Sequence, residues 1–401
     1  TRLKVNAGPF NKLWIAEHIA YKDNAYFIDI QKEGPFSFWK HEHRFEEINQ
    51  NQCLMRDHID YQLPGGNLSD ALFGKLVNRQ LLRMFCYRHQ TVARDLMCYS
   101  RYSSGRKLRI CISGSHGFIG SQLVPFLIND GHEVYRLVRG KPQTAFDISW
   151  DPQQKQLETE RLEGIDAMIH LSGENIAALR WTEKKKNEIA DSRIKSTQYL
   201  VRQLQSLKNP TKTFLCANAI GYYGNRGEEL LDEAANPGQG YLAKTCEEWE
   251  KEAEQLVNAR VCTMRTGLVL NPHGGLLKKI LPVFSLGLGG KIGNGKQWMS
   301  WITLDDMLYL IYFLLMNEEV YGPVNMVSPG YVTNRTFTKK LAKALHKPAL
   351  FPVPAFLLKT VMGEAAEATA LCSAKVLPKK ALEHGFFYTA PNLESAFNHY
   401  L

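Results

Sequence analysis

The stretch ISGSHGFIG, residues 112–120, constrains the fold more than any other part of the chain. It holds three glycines spaced three apart, straight after the apolar run Leu108, Arg109, Ile110, Cys111. Gly114 allows a tight turn out of a strand, Gly117 lets backbone N–H groups approach a phosphate, and Gly120 permits close packing of helix on strand. Ser115, Phe118 and Ile119 complete the loop, and a helix is expected over Phe118–Ile128. Between a strand and a helix, at the head of an alternating series, such a loop cradles the pyrophosphate of a dinucleotide. His116 is either a further contact or a solvent-exposed loop residue.

That series is present. From Lys107 onward the apolar segments 108–113, 133–138, 166–172, 213–218 and 260–270 read as strands, with amphipathic helices such as 175–206 and 243–257 between them. This is the pattern of an α/β protein with a doubly wound parallel sheet, the Rossmann arrangement. After about residue 274 a glycine-rich excursion reads as a smaller C-terminal substrate lobe. A helical extension over 346–401 is interrupted by Pro348, Pro352, Pro354 and Pro378. Residues 1–103 read as a separate α+β domain. Segments 25–31, 36–48 and 52–63 alternate apolar with polar residues, as half-buried antiparallel strands do. A helix over 68–98 follows, with Leu72, Leu76, Leu81, Leu82 and Phe85 at helical spacing. A curved sheet wrapped on that helix would enclose an apolar cavity and admit a hydrophobic ligand. Tyr102–Arg106 reads as a linker to the dinucleotide domain, 107–345.

Composition excludes other classes. The longest apolar run, Met307–Met316, has ten residues, whereas a membrane span needs about 20. It reads as a buried helix. Eight cysteines are scattered singly without a C-x-x-C pair, which argues against zinc and against a disulfide framework. No metal is expected. With no signal-peptide pattern, a reducing, cytoplasmic setting is expected. The net charge of +9 is spread among mixed acids and bases, and Lys184, Lys185 and Lys186 stand among Glu183 and Glu188 as a solvated helix face. No basic cluster with interleaved aromatics points to nucleic acid. A modestly basic protein suits a phosphorylated cofactor.

The second strand discriminates between cofactors. NAD sites place an acid about 20 residues beyond the glycines to bind the ribose 2′-OH. Here that place holds Val138, Arg139, Gly140 and Lys141. A guanidinium pairs with a 2′-phosphate instead, so NADP is the expected cofactor.

The segments SGSHGFIG, HLSGENIAALRWTEKKKNEIADSRIKST (170–197), AIGYYG (219–224), MRTGLVL (264–270) and GLGGKIGNGKQWMSWI (287–302) together resemble an atypical, epimerase-like family of the extended short-chain dehydrogenases. The resemblance runs through residues 107–400. It implies NADP contacts at Val138 and Arg139, at Leu171, Ser172 and Gly173, at Glu188 and Arg193 on a long helix, and at Val269. Arg193 can serve a phosphate or carboxylate, or pair with Glu188 or Asp191. Some members carry an N-terminal domain of the START-like, helix-grip type, which GPFSFWKHEHRF and DHIDYQLPGG resemble.

Catalysis is less plainly written. A short-chain dehydrogenase needs a Tyr with a Lys four residues on, sharing a helix face, plus a hydroxyl that orients the carbonyl. Here Tyr241 is followed by Lys244 at i+3. Aligning Glu250 with the acid that usually follows the motif puts Leu242 and Cys246 at the Tyr and Lys places. Where a hydroxyl is expected stands Asn218, which can hydrogen-bond a carbonyl but cannot relay a proton as Ser does. Tyr222 and Tyr223 are candidate replacement acids, and Cys246 is nucleophilic only with a depressed pKa. Three functions stay open: an NADP-dependent oxidoreductase or epimerase with a non-standard proton donor, an NADP(H)-binding protein without turnover, and a binder of a hydrophobic ligand through the N-terminal domain. The small-molecule substrate and the oligomeric state are not specified.

Overall fold

Alternating apolar and polar residues build an antiparallel sheet at the start of the chain. In the computed structural model, which describes residues 2–7, 10–50, 52–176 and 180–401, β1 (Arg2–Ala7), β2 (Phe10–Lys22), β3 (Tyr26–Glu33), β4 (Phe38–Asn49) and β5 (Gln52–Gln62) pair in that order. The breaker Pro64-Gly65-Gly66 ends the pattern, and α1 (Gly66–Tyr102) follows. Compact units divide within α1, as Thr1–Gln90 and Thr91–Leu401. In the first unit Leu81 and Phe85 are half-buried, whereas Leu72, Leu76 and Leu82 are exposed. The expected apolar stripe is therefore only partly covered. A helix grip closing on an apolar cavity is not evident among the described residues; Trp39, His41 and His43 are the buried residues of β4.

The second unit is organised by an eight-stranded sheet. Its strands are β6 (Arg109–Ser113), β7 (Glu133–Val138), β8 (Asp147–Asp151), β9 (Gln156–Leu157), β10 (Ala167–His170), β11 (Thr213–Ala219), β13 (Arg260–Thr266) and β17 (Gly322–Met326). The order is β17-β13-β11-β10-β6-β7-β8-β9. All neighbours are parallel except β8 and β9. The chain therefore winds outward from β6 to one edge, then returns beside it as β10 and winds to the other. The reversal between β6 and β10 is the topological switch point, where open α/β sheets bind ligands. Ile110 and Ile112 of β6, Met168 and Ile169 of β10, and Phe214 and Leu215 of β11 are all fully buried, as both-face-covered parallel strands require.

The helices follow the expected alternation with instructive shifts. After β6 comes α2 (Gly120–Asn129), after β10 come α3 (Glu183–Asp191) and α4 (Ile194–Gln205), and after β11, past the short β12 (Leu230–Leu231), comes α5 (Tyr241–Glu254). The single helix expected over 175–206 breaks at Ser192 and Arg193, where Ser192 Oγ turns back to accept from the Glu174 N–H at 2.9 Å. The expected strand 260–270 divides at Gly267 into β13 and β14 (Leu268–Asn271). A Cβ there would stand 2.6 Å from Val327 Cγ1 and 2.7 Å from the Ser300 carbonyl. The glycine lets two backbones meet, and β14 pairs instead with β16 (Trp301–Thr303), beyond α6 (Gly275–Ser285) and β15 (Trp298–Met299). The apolar run 307–316 is a core helix, α7 (Leu304–Met316), buried from Leu304 through Leu315. Among the described residues no helix is long and apolar enough to cross a membrane. Tyr102, expected in a linker, instead packs edge-on against Phe313 at 5.1 Å and accepts from the Phe387 N–H. The C-terminal extension lies within the same compact unit, tied to α7 by His399 Nε2 at 2.6 Å from Asp305.

Candidate dinucleotide site

The glycine loop lies at the switch point and is fitted there by contacts that leave no room for side chains. Gly114 has φ +73°, and a Cβ on it would lie 2.9 Å from the Leu171 carbonyl and 3.0 Å from the Ser172 nitrogen. A Cβ on Gly120 would come within 2.3 Å of the Gly114 oxygen. Gly117 differs: its missing Cβ would meet only that same oxygen, at 3.1 Å. Its free side is thus the one that a bound group would use. The first turn of α2 carries no acid and Ile119 supplies no side-chain cap, so no carboxylate or side chain occupies its positive dipole end, although the Ser121 and Gln122 N–H groups already donate to the Gly117 and Ile119 carbonyls at 2.9 and 3.1 Å. The two switch-point strands are clasped beneath the loop, with Ser113 Oγ 2.6 Å from His170 Nδ1 and accepting from the Ser172 N–H at 3.4 Å. Burial pushes the His170 imidazole down to about 4, so it is neutral at physiological pH.

The other expected cofactor residues gather around this rim. Phe118, Ile119, Leu171 and Val269 are half-buried along the edge of one core. Arg139 is exposed just past β7, while Val138 is buried. Gly173 faces Arg193, whose guanidinium carbon would be 3.3 Å from a Cβ there. Arg193 pairs with neither Glu188 nor Asp191. It donates to the Ile189 and Glu174 carbonyls at 3.0 and 2.9 Å and lies 5.3 Å over the Trp249 ring. Glu188 is held by Lys185 at 3.5 Å. Ala177, Ala178 and Leu179 of the 170–197 segment lie outside the described residues.

The catalytic candidates are engaged elsewhere. Tyr241 donates from its hydroxyl to the Lys186 carbonyl at 2.5 Å. Lys244 is 77% exposed and stands 3.8 Å from Glu248. Facing Gly221, just beyond β11, are Leu242 Cβ at 3.5 Å and Cys246 Sγ at 3.6 Å from where its Cβ would be. The α5 positions aligned with a Tyr–Lys pair thus present an aliphatic carbon and a buried thiol, which desolvation pushes up to about 12. Asn218 is buried, its amide donating to the Cys246 carbonyl and to Glu250, and its oxygen accepting from the Ala219 N–H. Tyr223 is fully buried. Its hydroxyl donates to Asn325 Oδ1 at 2.7 Å and accepts from Arg265 at 2.9 Å, and burial pushes the phenol up to about 12. Tyr222 lies with its ring 3.6 Å from the Arg265 guanidinium carbon.

Sequence reasoning missed the centre of this arrangement. Arg265 and Glu250 form a buried two-bond ion pair, which joins Asn218, Tyr222 and Tyr223 into one network. The sequence signal is an arginine in the interior of a strand, flanked by Met264 and Thr266. The Ser113–His170 clasp was likewise missed, since nothing local marks a cross-strand pair.

Comparison with known proteins agrees with this geometry. The NAD dependent epimerase/dehydratase family matches residues 110–327, and a domain of unknown function (DUF1731) matches residues 353–400. Epimerase family protein YfhF of Bacillus subtilis is 35% identical over 298 residues, covering 73% of this chain and 97% of that protein. Epimerase family protein SDR39U1 of Homo sapiens is 32% identical over 293 residues, covering 72% and 98%. The crystal structure of human SDR39U1 (isoform 2) with NADPH superposes with a TM-score of 0.66 at 29% identity, over 73% of this chain and 99% of that one. That of the nucleoside-diphosphate sugar epimerase from Corynebacterium glutamicum gives 0.81 at 29% identity, over 98% of this chain and 78% of that one.

Proposed function

The chain belongs to the NAD dependent epimerase/dehydratase family, and within it we propose an NADP(H)-dependent oxidoreductase or epimerase whose proton donor is not a Tyr–Lys pair. The observation that carries the proposal is the fit at the switch point: Gly114 and Gly120 are required by the backbone itself, whereas Gly117 has an open side and no side chain caps the positive end of α2, where a phosphate would sit. NADP(H), when bound, supplies or accepts a hydride. Around it, the backbone at 114–120 would hold the pyrophosphate, and exposed Arg139 would pair with the 2′-phosphate. Arg193, fixed by two carbonyls under Gly173, would orient a charged or polar group beside the loop. The relative crystallised with NADPH supports NADP over NAD. The name of the Corynebacterium relative supports a nucleoside-diphosphate sugar as the substrate class.

Catalysis then rests on positioning and on a proton taken from elsewhere, because Leu242 and Cys246 offer none. The test is single-turnover deuterium exchange from 4-labelled NADPH into a panel of nucleoside-diphosphate sugars and their keto forms. Transfer to one member supports turnover. Stoichiometric NADPH binding with no transfer favours the second reading, an NADP(H)-binding protein without turnover, for which the apolar face of α5 is the specific observation. For the N-terminal unit, a START-like role in holding a hydrophobic ligand rests on the order of sheet then long helix, and native mass spectrometry for a co-purified hydrophobe tests it.

A further inference from the structure

Far along the sequence from the glycine loop, three ligand-type side chains converge within the N-terminal unit. His41 and His43 alternate on β4, so both project from one face of the sheet. Asp57 of β5 stands directly opposite His43 in the antiparallel register. Its Oδ1 lies 2.7 Å from His43 Nδ1 and 3.0 Å from His41 Nε2. The three side chains are 9%, 5% and 3% exposed, in the order His41, His43, Asp57, and one donor atom from each lies within 4.8 Å of the other two. From α1, His89 brings Nε2 to 2.5 Å from the other Asp57 oxygen, with its own side chain 45% exposed. Phe27 stacks on His43 at 4.0 Å, and Phe85 meets His41 edge-on at 5.2 Å.

We propose that His41, His43 and Asp57 form a binding site for a divalent transition-metal ion of the zinc type, with His89 as the fourth ligand. Two imidazoles and a carboxylate on neighbouring strands are a borderline-soft nitrogen and oxygen donor set, which selects Zn²⁺ and its neighbours over Ca²⁺ or Mg²⁺. Three ligands are fixed by strand register and burial, and the fourth comes from a half-exposed helical residue that leaves an entry path. A carboxylate stands behind one of the imidazoles. His43 turns its other nitrogen, Nε2, toward Asp29 at 3.6 Å, and Asp29 is in turn held by His18 at 2.6 Å. At hydrogen-bond distance such a carboxylate fixes a ligating ring and raises its basicity, which a small shift of Asp29 would achieve here. One group opposes a cation. The Arg88 guanidinium stands 3.5 Å from Asp57 and 3.4 Å from His43 Nδ1, with 37% of its side chain exposed. It occupies the metal's place electrostatically and must swing out to solvent when an ion binds. That requirement separates a metal site from an ion-paired carboxylate, in which Arg88 is a stabilising partner.

The full chain, stripped with a chelator and titrated with Co²⁺ alone at neutral pH, tests this. One equivalent is expected to bind, with the visible absorption of a low-symmetry nitrogen and oxygen site, and Zn²⁺ is expected to displace it. Outer-shell changes at metal sites weaken binding roughly 10–100-fold, so loss of a direct ligand in His43→Ala or Asp57→Asn should cost about a hundredfold or more. Arg88→Ala should bind Co²⁺ more tightly than the unmodified chain. His58→Ala, which removes a 73% exposed imidazole, should change nothing. Absence of stoichiometric binding by the unmodified chain would overturn the proposal. So would binding that survives His43→Ala, or binding weakened by Arg88→Ala.

Discussion

The Tyr241 hydroxyl donates to the backbone carbonyl of Lys186, not to a partner in the dinucleotide site. It joins α5 to α3. Tyr241→Phe should therefore cost about 1 kcal/mol, the worth of one hydrogen bond, and leave NADPH-dependent exchange within about twofold. Urea denaturation and the labelled-hydride assay check the two halves. A hundredfold loss of exchange, of the size expected for a general acid, would make Tyr241 catalytic.

Gly117 and Gly120 should respond differently to substitution. Gly117→Val should abolish dinucleotide binding while the chain still folds, because its Cβ would meet one protein atom within 4 Å, at 3.1 Å, and the rest of the side chain would fill the place proposed for the phosphate. Gly120→Ala should lower stability outright, since its Cβ would sit 2.3 Å from a carbonyl oxygen. Circular dichroism on heating, together with NADPH titration, separates the two effects. Equal loss of folding in both variants would contradict the assignment.

Arg139 should set the cofactor preference. A charge-assisted hydrogen bond contributes roughly 1.5–3 kcal/mol, so Arg139→Ala should remove most of a tenfold or greater preference for NADPH and leave NADH affinity nearly intact. Calorimetric titration of both cofactors measures this. An unaltered preference in the variant would move recognition of the 2′-phosphate to another side chain.

Acid should loosen the switch point through His170. Its ordinary value near 6.5 falls to about 4 on folding because burial disfavours the imidazolium. The unfolded chain therefore takes up the proton first. The stabilisation is full above pH 6.5 and is lost as pH falls toward 4, by on the order of 3 kcal/mol. His170→Asn should flatten that part of the curve of unfolding free energy against pH. Identical slopes for the two proteins would show that His170 is not the group responsible.

How much of this could be read in advance depends on whether the signal is local. The glycine triplet, the strand 133–138 and the core helix at 307–316 are dictated by nearest neighbours, and they emerge with little change. The break at Gly267 could not be read, because the atoms that require it belong to Val327 and Ser300. The partners of Arg193, the Ile189 and Glu174 carbonyls, could not be read either, because they follow from the helix break at Ser192. In the N-terminal unit the alternation of His41 and His43 is written in the sequence. Asp57 and His89 join them only through strand register and helix placement, and no local spacing marks the cluster.

A crystal structure of the full chain with NADPH bears at once on the proposed cofactor cradle and on the lack of a Tyr–Lys pair at positions 242 and 246 of α5. The pyrophosphate is expected against Gly117 and the start of α2, and Arg139 within hydrogen-bond distance of the 2′-phosphate. Tyr241 should still donate to the Lys186 carbonyl, with Leu242 and Cys246 against Gly221. A Tyr241 hydroxyl turned toward the nicotinamide with Lys244 beside it, or a pyrophosphate bound away from the glycine loop, would contradict this expectation.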